Sequence, residues 1–100
     1  MQDNQTQQIV SVIEQAINSD VPKIYFNGFG NALGSGDVVI VLQCNNKPVA
    51  VLNASYTVTK TLAIKLAELI SNLERETGNT IMTTFDVDSK LQERIGGEQK

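Results

Sequence analysis

Two short runs constrain this chain more than any other part of it: residues 37–44, reading DVVIVLQC, and residues 49–54, reading VAVLNA. Both are rich in β-branched and aliphatic residues, and Asn45, Asn46, Lys47 and Pro48 between them supply turn chemistry. They are expected to form a β-hairpin. Successive side chains on a strand point to opposite faces. Val38, Ile40 and Leu42 therefore share one face of the first strand, and Val39 and Val41 the other. In the second strand Val49 and Val51 are opposed to Ala50 and Leu52. A hairpin with one wet face would alternate apolar with polar residues. This one is apolar on both sides, so both of its faces are expected to be covered.

The natural cover for one face follows directly in the chain. Residues 55–78 place Val58, Leu62, Leu66, Leu69, Ile70 and Leu73 at spacings that share one side of an α-helix. Lys60, Lys65, Glu68, Asn72, Glu74, Arg75 and Glu76 fall on the remaining sides. Ile64 lies off the main stripe and, with Ala63 and Ala67, widens it. Ser55, Thr57 or Thr59 can cap the start, and Gly78 suits the left-handed turn that ends many helices. The charges are too frequent for a membrane-spanning segment. One helix covers one face, so the other needs the N-terminal helix or another subunit. Self-association is the simplest answer for a chain of 100 residues, whose single core is modest.

The flanking segments are less decisive. Residues 1–8 are polar and Gln-rich, expected to be flexible, as are residues 96–100. Ile9, Val12, Ile13, Ala16 and Ile17 mark an amphipathic helix of about ten residues that ends before Pro22. Ile24 and Phe26 alternate with Tyr25 and Asn27, which suggests a strand that the glycines at 28 and 30 bend or twist. A hairpin turn at Asn27 and Gly28 is the competing reading. After Gly78, Thr83 or Thr84 can cap a short helix carrying Phe85, Leu91 and Ile95, with Gly96 and Gly97 ending it.

Composition narrows the chemistry. The net charge is −3 and there is no basic patch, which gives nucleic-acid binding little support. The absence of histidine removes the commonest general base and metal ligand. Cys44 is the one cysteine, placed at the end of an apolar run, and alone it makes neither an internal disulfide nor a zinc site. The start of the chain lacks the basic and apolar regions of a secretory signal, so the sequons at Asn4 and Asn53 are expected to be idle and the chain to be cytoplasmic, or virion-associated if of phage origin. The glycine cluster of residues 28–36 fits neither a dinucleotide fingerprint nor a phosphate-binding loop. Asp86 and Asp88 begin something like a calcium loop, but Leu91 and Gly97 stand where glycine and glutamate are needed. No catalytic residue, metal or cofactor is assigned.

Tyr25 and Asn27, then Ser35, Gly36 and Asp37 leading into an apolar strand, continue through residues 49–52 to Thr59, Lys60 and Leu62, and on to Leu73 and Glu74 before Gly78. In these positions, spread over residues 24–81, the chain resembles a family of short bacterial and phage proteins of unknown function. The resemblance implies a strand–strand–strand–helix unit and a small oligomer, and brings no catalytic residues with it. A fainter likeness of strand pattern is to export-chaperone-like folds, from which this chain departs in being shorter and less acidic.

The expectation is a single α+β domain over residues 1–100: an antiparallel sheet of about three strands, one long helix packed on a face, and short terminal helices. The expected function is that of a non-enzymatic structural or protein-interaction component, such as a small phage or bacterial assembly protein. Its partners would be itself, as a homo-oligomer, and another protein, with no nucleic acid and no membrane. Val39, Val41, Ala50, Leu52, Phe85 and Leu91 are the candidate interaction residues. The alternative is a peptide-binding, chaperone-like module. A ligand-binding or enzymatic role would require a pocket lined by Asn27, Asn31, Ser35 and Asp37.

Overall fold

The computed structural model describes the backbone of residues 2–98 and the side chains of residues 10–94. In chain order it contains α1 (Gln2–Ile17), β1 (Gly28–Leu33), β2 (Val38–Cys44), β3 (Lys47–Ala54), α2 (Tyr56–Thr77) and α3 (Thr84–Glu98). The class is α+β, with one antiparallel sheet in the order β1-β2-β3. The chain divides into two compact units, Met1–Tyr56 and Thr57–Lys100.

In the first unit β2 is central, paired with β3 from Val38 to Cys44 and with β1 from Val38 to Gln43. Residues directly opposite in an antiparallel ladder share a face. Phe29 faces Leu42, which faces Ala50; Asn31 faces Ile40, which faces Leu52; Leu33 faces Val38, which faces Ala54. This is face A. Face B carries Gly28, Gly30 and Ala32 from β1, Val39, Val41 and Gln43 from β2, and Val51 and Asn53 from β3. Beyond Leu42 the register shifts, so that Gln43 opposes Pro48 and Val49 is the extra residue of a bulge.

Polar clamps close both ends of the sheet. The β2–β3 turn is the two-residue Asn45–Asn46, with φ of 53° and 70°. Positive φ at both central residues is the geometry that matches the strand twist in a tight hairpin, and asparagine tolerates it. Asn27, just before β1, reaches this turn twice. Its Nδ2 donates to Asn45 Oδ1 at 2.9 Å, and its Oδ1 accepts from the Asn45 N–H at 2.9 Å. At the other end the Gly34 N–H donates to the Asp37 carbonyl at 2.8 Å. Asn53 Nδ2 donates to Asp37 Oδ2, and the Tyr56 hydroxyl donates to the Gly34 carbonyl at 2.7 Å.

Several boundaries differ from the sequence expectations. The first strand is Gly28–Leu33 rather than the stretch around Ile24 and Phe26, and no turn forms at Asn27 and Gly28. The hairpin turn is two residues instead of four, because the asparagines take up the left-handed conformation. Helix α1 begins at Gln2 rather than near Ile9. Glutamine is a good helix former, but it carries no apolar period to announce itself. Helix α3 runs through Gly96 and Gly97, which cost about 1 kcal/mol each against alanine without forbidding helical φ. Of the residues 1–8 and 96–100 expected to be flexible, Met1, Gln99 and Lys100 lie outside the described residues, as do the side chains of the others.

In the second unit the local signals agree with the structure. Gly78 ends α2 with φ of 72°, its N–H bonded to the Glu74 carbonyl at 2.9 Å. Thr83 caps α3 through a reciprocal pair: Asp86 N–H to Thr83 Oγ1 at 3.1 Å, and Thr83 N–H to Asp86 Oδ2 at 3.0 Å. No residue of α2 is buried.

The turn clamps are open to test by denaturant unfolding at fixed protein concentration. Gly34→Ala would drive a Cβ into Asp37 Oδ1, so Asp37 must turn away and release Asn53. The expected cost is about 1 kcal/mol, and most of it should vanish when Asp37 is already alanine. Asn27→Ala, which removes two hydrogen bonds, should cost about 1–2 kcal/mol.

Candidate functional site

Among the described residues one hydrophobic side chain is buried, Leu42, at 7% exposure. It is at the centre of face A, flanked by Phe29 and Ala50. Around it face A is open: Phe29 is 65% exposed and Leu33 80%. Neither face carries a charge within the strands, whose sole ionisable side chain besides the Cys44 thiol is Lys47 at the start of β3. Covering such a surface desolvates almost no polar group beyond asparagine and glutamine, so apolar contact there is nearly all gain.

Face B is shallower. Gly30, Asn31, Ala32, Val39, Val41 and Gln43 line an open groove of about 320 Å³. Its low side comes from β1, where glycine and alanine replace the larger side chains found opposite. The second unit adds two further apolar surfaces. Leu62, Leu66, Leu69, Ile70 and Leu73 line an exposed stripe on α2, and Phe85 and Leu91 are exposed on α3, Phe85 at 81%.

The six candidate interaction residues therefore do not form one patch. Val39 and Val41 share face B, Ala50 and Leu52 share face A, and Phe85 and Leu91 belong to the second unit. Phe29 and Leu33 went unnoticed in the sequence because the strand was read from Ile24 and Phe26. That phase leads the alternation through Gly28 and Gly30, whereas β1 presents Phe29, Asn31 and Leu33 on face A. Extending the alternation backward from Leu33 would have found them.

Asn27 lies at the Asn45 end of the sheet, and Ser35 and Asp37 lie at the opposite end, near Asn53. The six-residue strand between them spans about 20 Å at ~3.3 Å per residue, so the four residues that a ligand pocket would need are not gathered. Asp37 and Asp86 are both occupied by structural hydrogen bonds. Cys44 is free and half-buried on the face A side of β2. Among the described residues no group of three or more His, Cys, Asp or Glu is placed to hold a metal ion, and no helix is long and apolar enough to cross a membrane. No family model, curated protein or solved structure matches the chain.

Cys44 reports on face A without any substitution. Its reaction with a thiol reagent should slow severalfold as protein concentration rises from nanomolar to tens of micromolar, if face A becomes covered by association. A rate independent of concentration would show that nothing covers it.

Proposed function

We propose that this chain is a non-enzymatic structural or interaction component that works as a homo-oligomer, of the kind found among small phage or bacterial assembly proteins, where it would be virion-associated or cytoplasmic. One observation carries the reading. A sheet apolar on both faces buries only Leu42 among its hydrophobic residues, while large aliphatic and aromatic residues on α2 and β1 stay open. Monomeric proteins rarely expose contiguous apolar surface on this scale, and interaction surfaces do. The small size of the chain points the same way, because a core too small for one copy is completed by association.

Native mass measurement and light scattering at micromolar concentration should return an oligomer. A monomer with no copurifying partner sinks the reading. Leu52→Lys on face A should raise the dissociation constant at least about tenfold, since an unpaired ammonium group would enter the covered surface.

A peptide-binding, chaperone-like module is the second reading. The observation favouring it is that β1 and β3 both present free edges to which an extended peptide can add a strand. It requires the protein to delay aggregation of an unfolded model client, and no delay at equimolar protein removes it.

A further inference from the structure

The sheet ends in two edge strands, β1 and β3, and the two edges are not equivalent. In an antiparallel ladder alternate residues turn their N–H and C=O groups toward the neighbouring strand, and the residues between them turn theirs away. The Gly34 N–H donates to the Asp37 carbonyl, which makes Gly34 and Asp37 a bonded pair. Along the register from there, Ala32 with Val39, Gly30 with Val41 and Gly28 with Gln43 are the bonded pairs of β1 and β2. Phe29, Asn31 and Leu33 therefore turn their backbone groups outward, along the edge of β1.

The edge of β3 is guarded. Because Val39, Val41 and Gln43 serve β1, it is Val38, Ile40 and Leu42 that bond to Ala54, Leu52 and Ala50. Val51 and Asn53 then face outward, and beyond the bulge at Val49 the next outward residue is Pro48, which has no N–H to offer. Lys47 adds a charge at the start of the strand. Proline, a bulge and a lysine are the means by which edge strands avoid pairing with other chains. Strand β1 has no proline and no charge, and its register runs from Gly28 to Leu33 without a shift.

The edge of β1 also matches itself. Two copies of the strand can lie antiparallel about a two-fold axis at Asn31. Each Asn31 then exchanges both backbone bonds with the other Asn31, and each Phe29 does the same with the other copy's Leu33. This register uses every outward N–H and C=O of Phe29, Asn31 and Leu33. A shift of two residues in either direction leaves Phe29 or Leu33 unpaired. Opposed residues share a face, so Phe29 and the other copy's Leu33 become cross-strand neighbours on face A, with the two uncharged Asn31 side chains between them. Among the described residues the chain has no further strand with which to fill this edge.

We propose that two copies pair edge to edge through β1, antiparallel about a two-fold axis at Asn31, into one continuous sheet. The proposal rests on the homo-oligomer reading and names a contact that builds it. The pairing closes on itself: both outer edges of the joined sheet are β3, the guarded strand, so edge pairing stops at two copies. Cover of face A, which Leu52→Lys probes, is a separate contact made on the joined sheet.

Amide hydrogen exchange on the wild-type chain, read by mass spectrometry, tests this without a substitution. The N–H groups of Phe29, Asn31 and Leu33 turn away from β2. At tens of micromolar they should exchange at least about tenfold more slowly than at dilutions where native mass returns a monomer. Fast exchange at these amides where native mass returns an oligomer overturns the edge pairing and spares the homo-oligomer. A monomer at every concentration ends both. Asn31→Asp and Asn31→Lys give a second, independent readout. Each alone sets like charges against each other on the axis and should raise the dissociation constant at least about tenfold. An equimolar mixture of the two should associate again, because opposite charges at one position rescue each other only where that residue meets its own copy. No weakening, or a weakening that the mixture does not relieve, overturns the proposal.

Discussion

Pairing of β2 on both of its edges is the interaction on which the sheet depends, and it carries an unusual difficulty. In most sheets register is enforced by the contrast between a wet face and a dry one, because a one-residue slip turns every apolar side chain toward water. Here a slip would exchange one apolar face for another. The contrast is weak, and the register has to be set at the ends. Asn27 holds the Asn45–Asn46 turn at one end. Asp37, Asn53, Gly34 and Tyr56 hold the other. The bulge at Val49 adds a third fixed point, since it fits at one position in β3. Polar residues at the sheet ends thus do for this fold what hydrophobic patterning does elsewhere.

The second unit reaches its local structure by other means. Its helix ends are specified by neighbours in sequence: the Thr83–Asp86 cap, Gly78 in the left-handed region, and the Glu74 carboxylate accepting from the Ile81 N–H at 2.7 Å. The exposed Lys65–Glu68 pair at 3.5 Å contributes little, as exposed ion pairs do. What these local contacts leave undone is the cover of the leucine stripe. Helices of this length draw most of their stability from tertiary packing rather than from propensity, so the stability of this unit depends on what the stripe packs against.

The hairpin, the long helix and its stop at Gly78 were legible because each rests on a periodic apolar pattern or on a residue with one conformational role. The phase of β1 was not, because its glycines carry no side chain to mark a face and the nearby Ile24 and Phe26 supplied a false alternation. The asparagine turn was hidden by Lys47 and Pro48, which look like loop residues yet begin β3. The start of α1 was hidden by glutamines, which favour helix without displaying a period. As for the candidate site, the two-sided character of β2 could be read from five apolar residues in a row, Val38 to Leu42. Which residues of β1 complete each face depended on the register, which no local signal in β1 encodes.

Leu42 as the single buried hydrophobic among the described residues has a consequence for the chain in a cell. A protein whose core is completed by copies of itself has no stability independent of its own abundance. Under the proposed homo-oligomer, newly made chains, while scarce, would present open apolar faces and strand edges to proteases and to one another. Once numerous, they would shelter each other, and the surviving amount would rise more steeply than the rate of synthesis. Gene dosage would then act as a threshold rather than a dial, with excess unpaired chains removed and assembled ones retained.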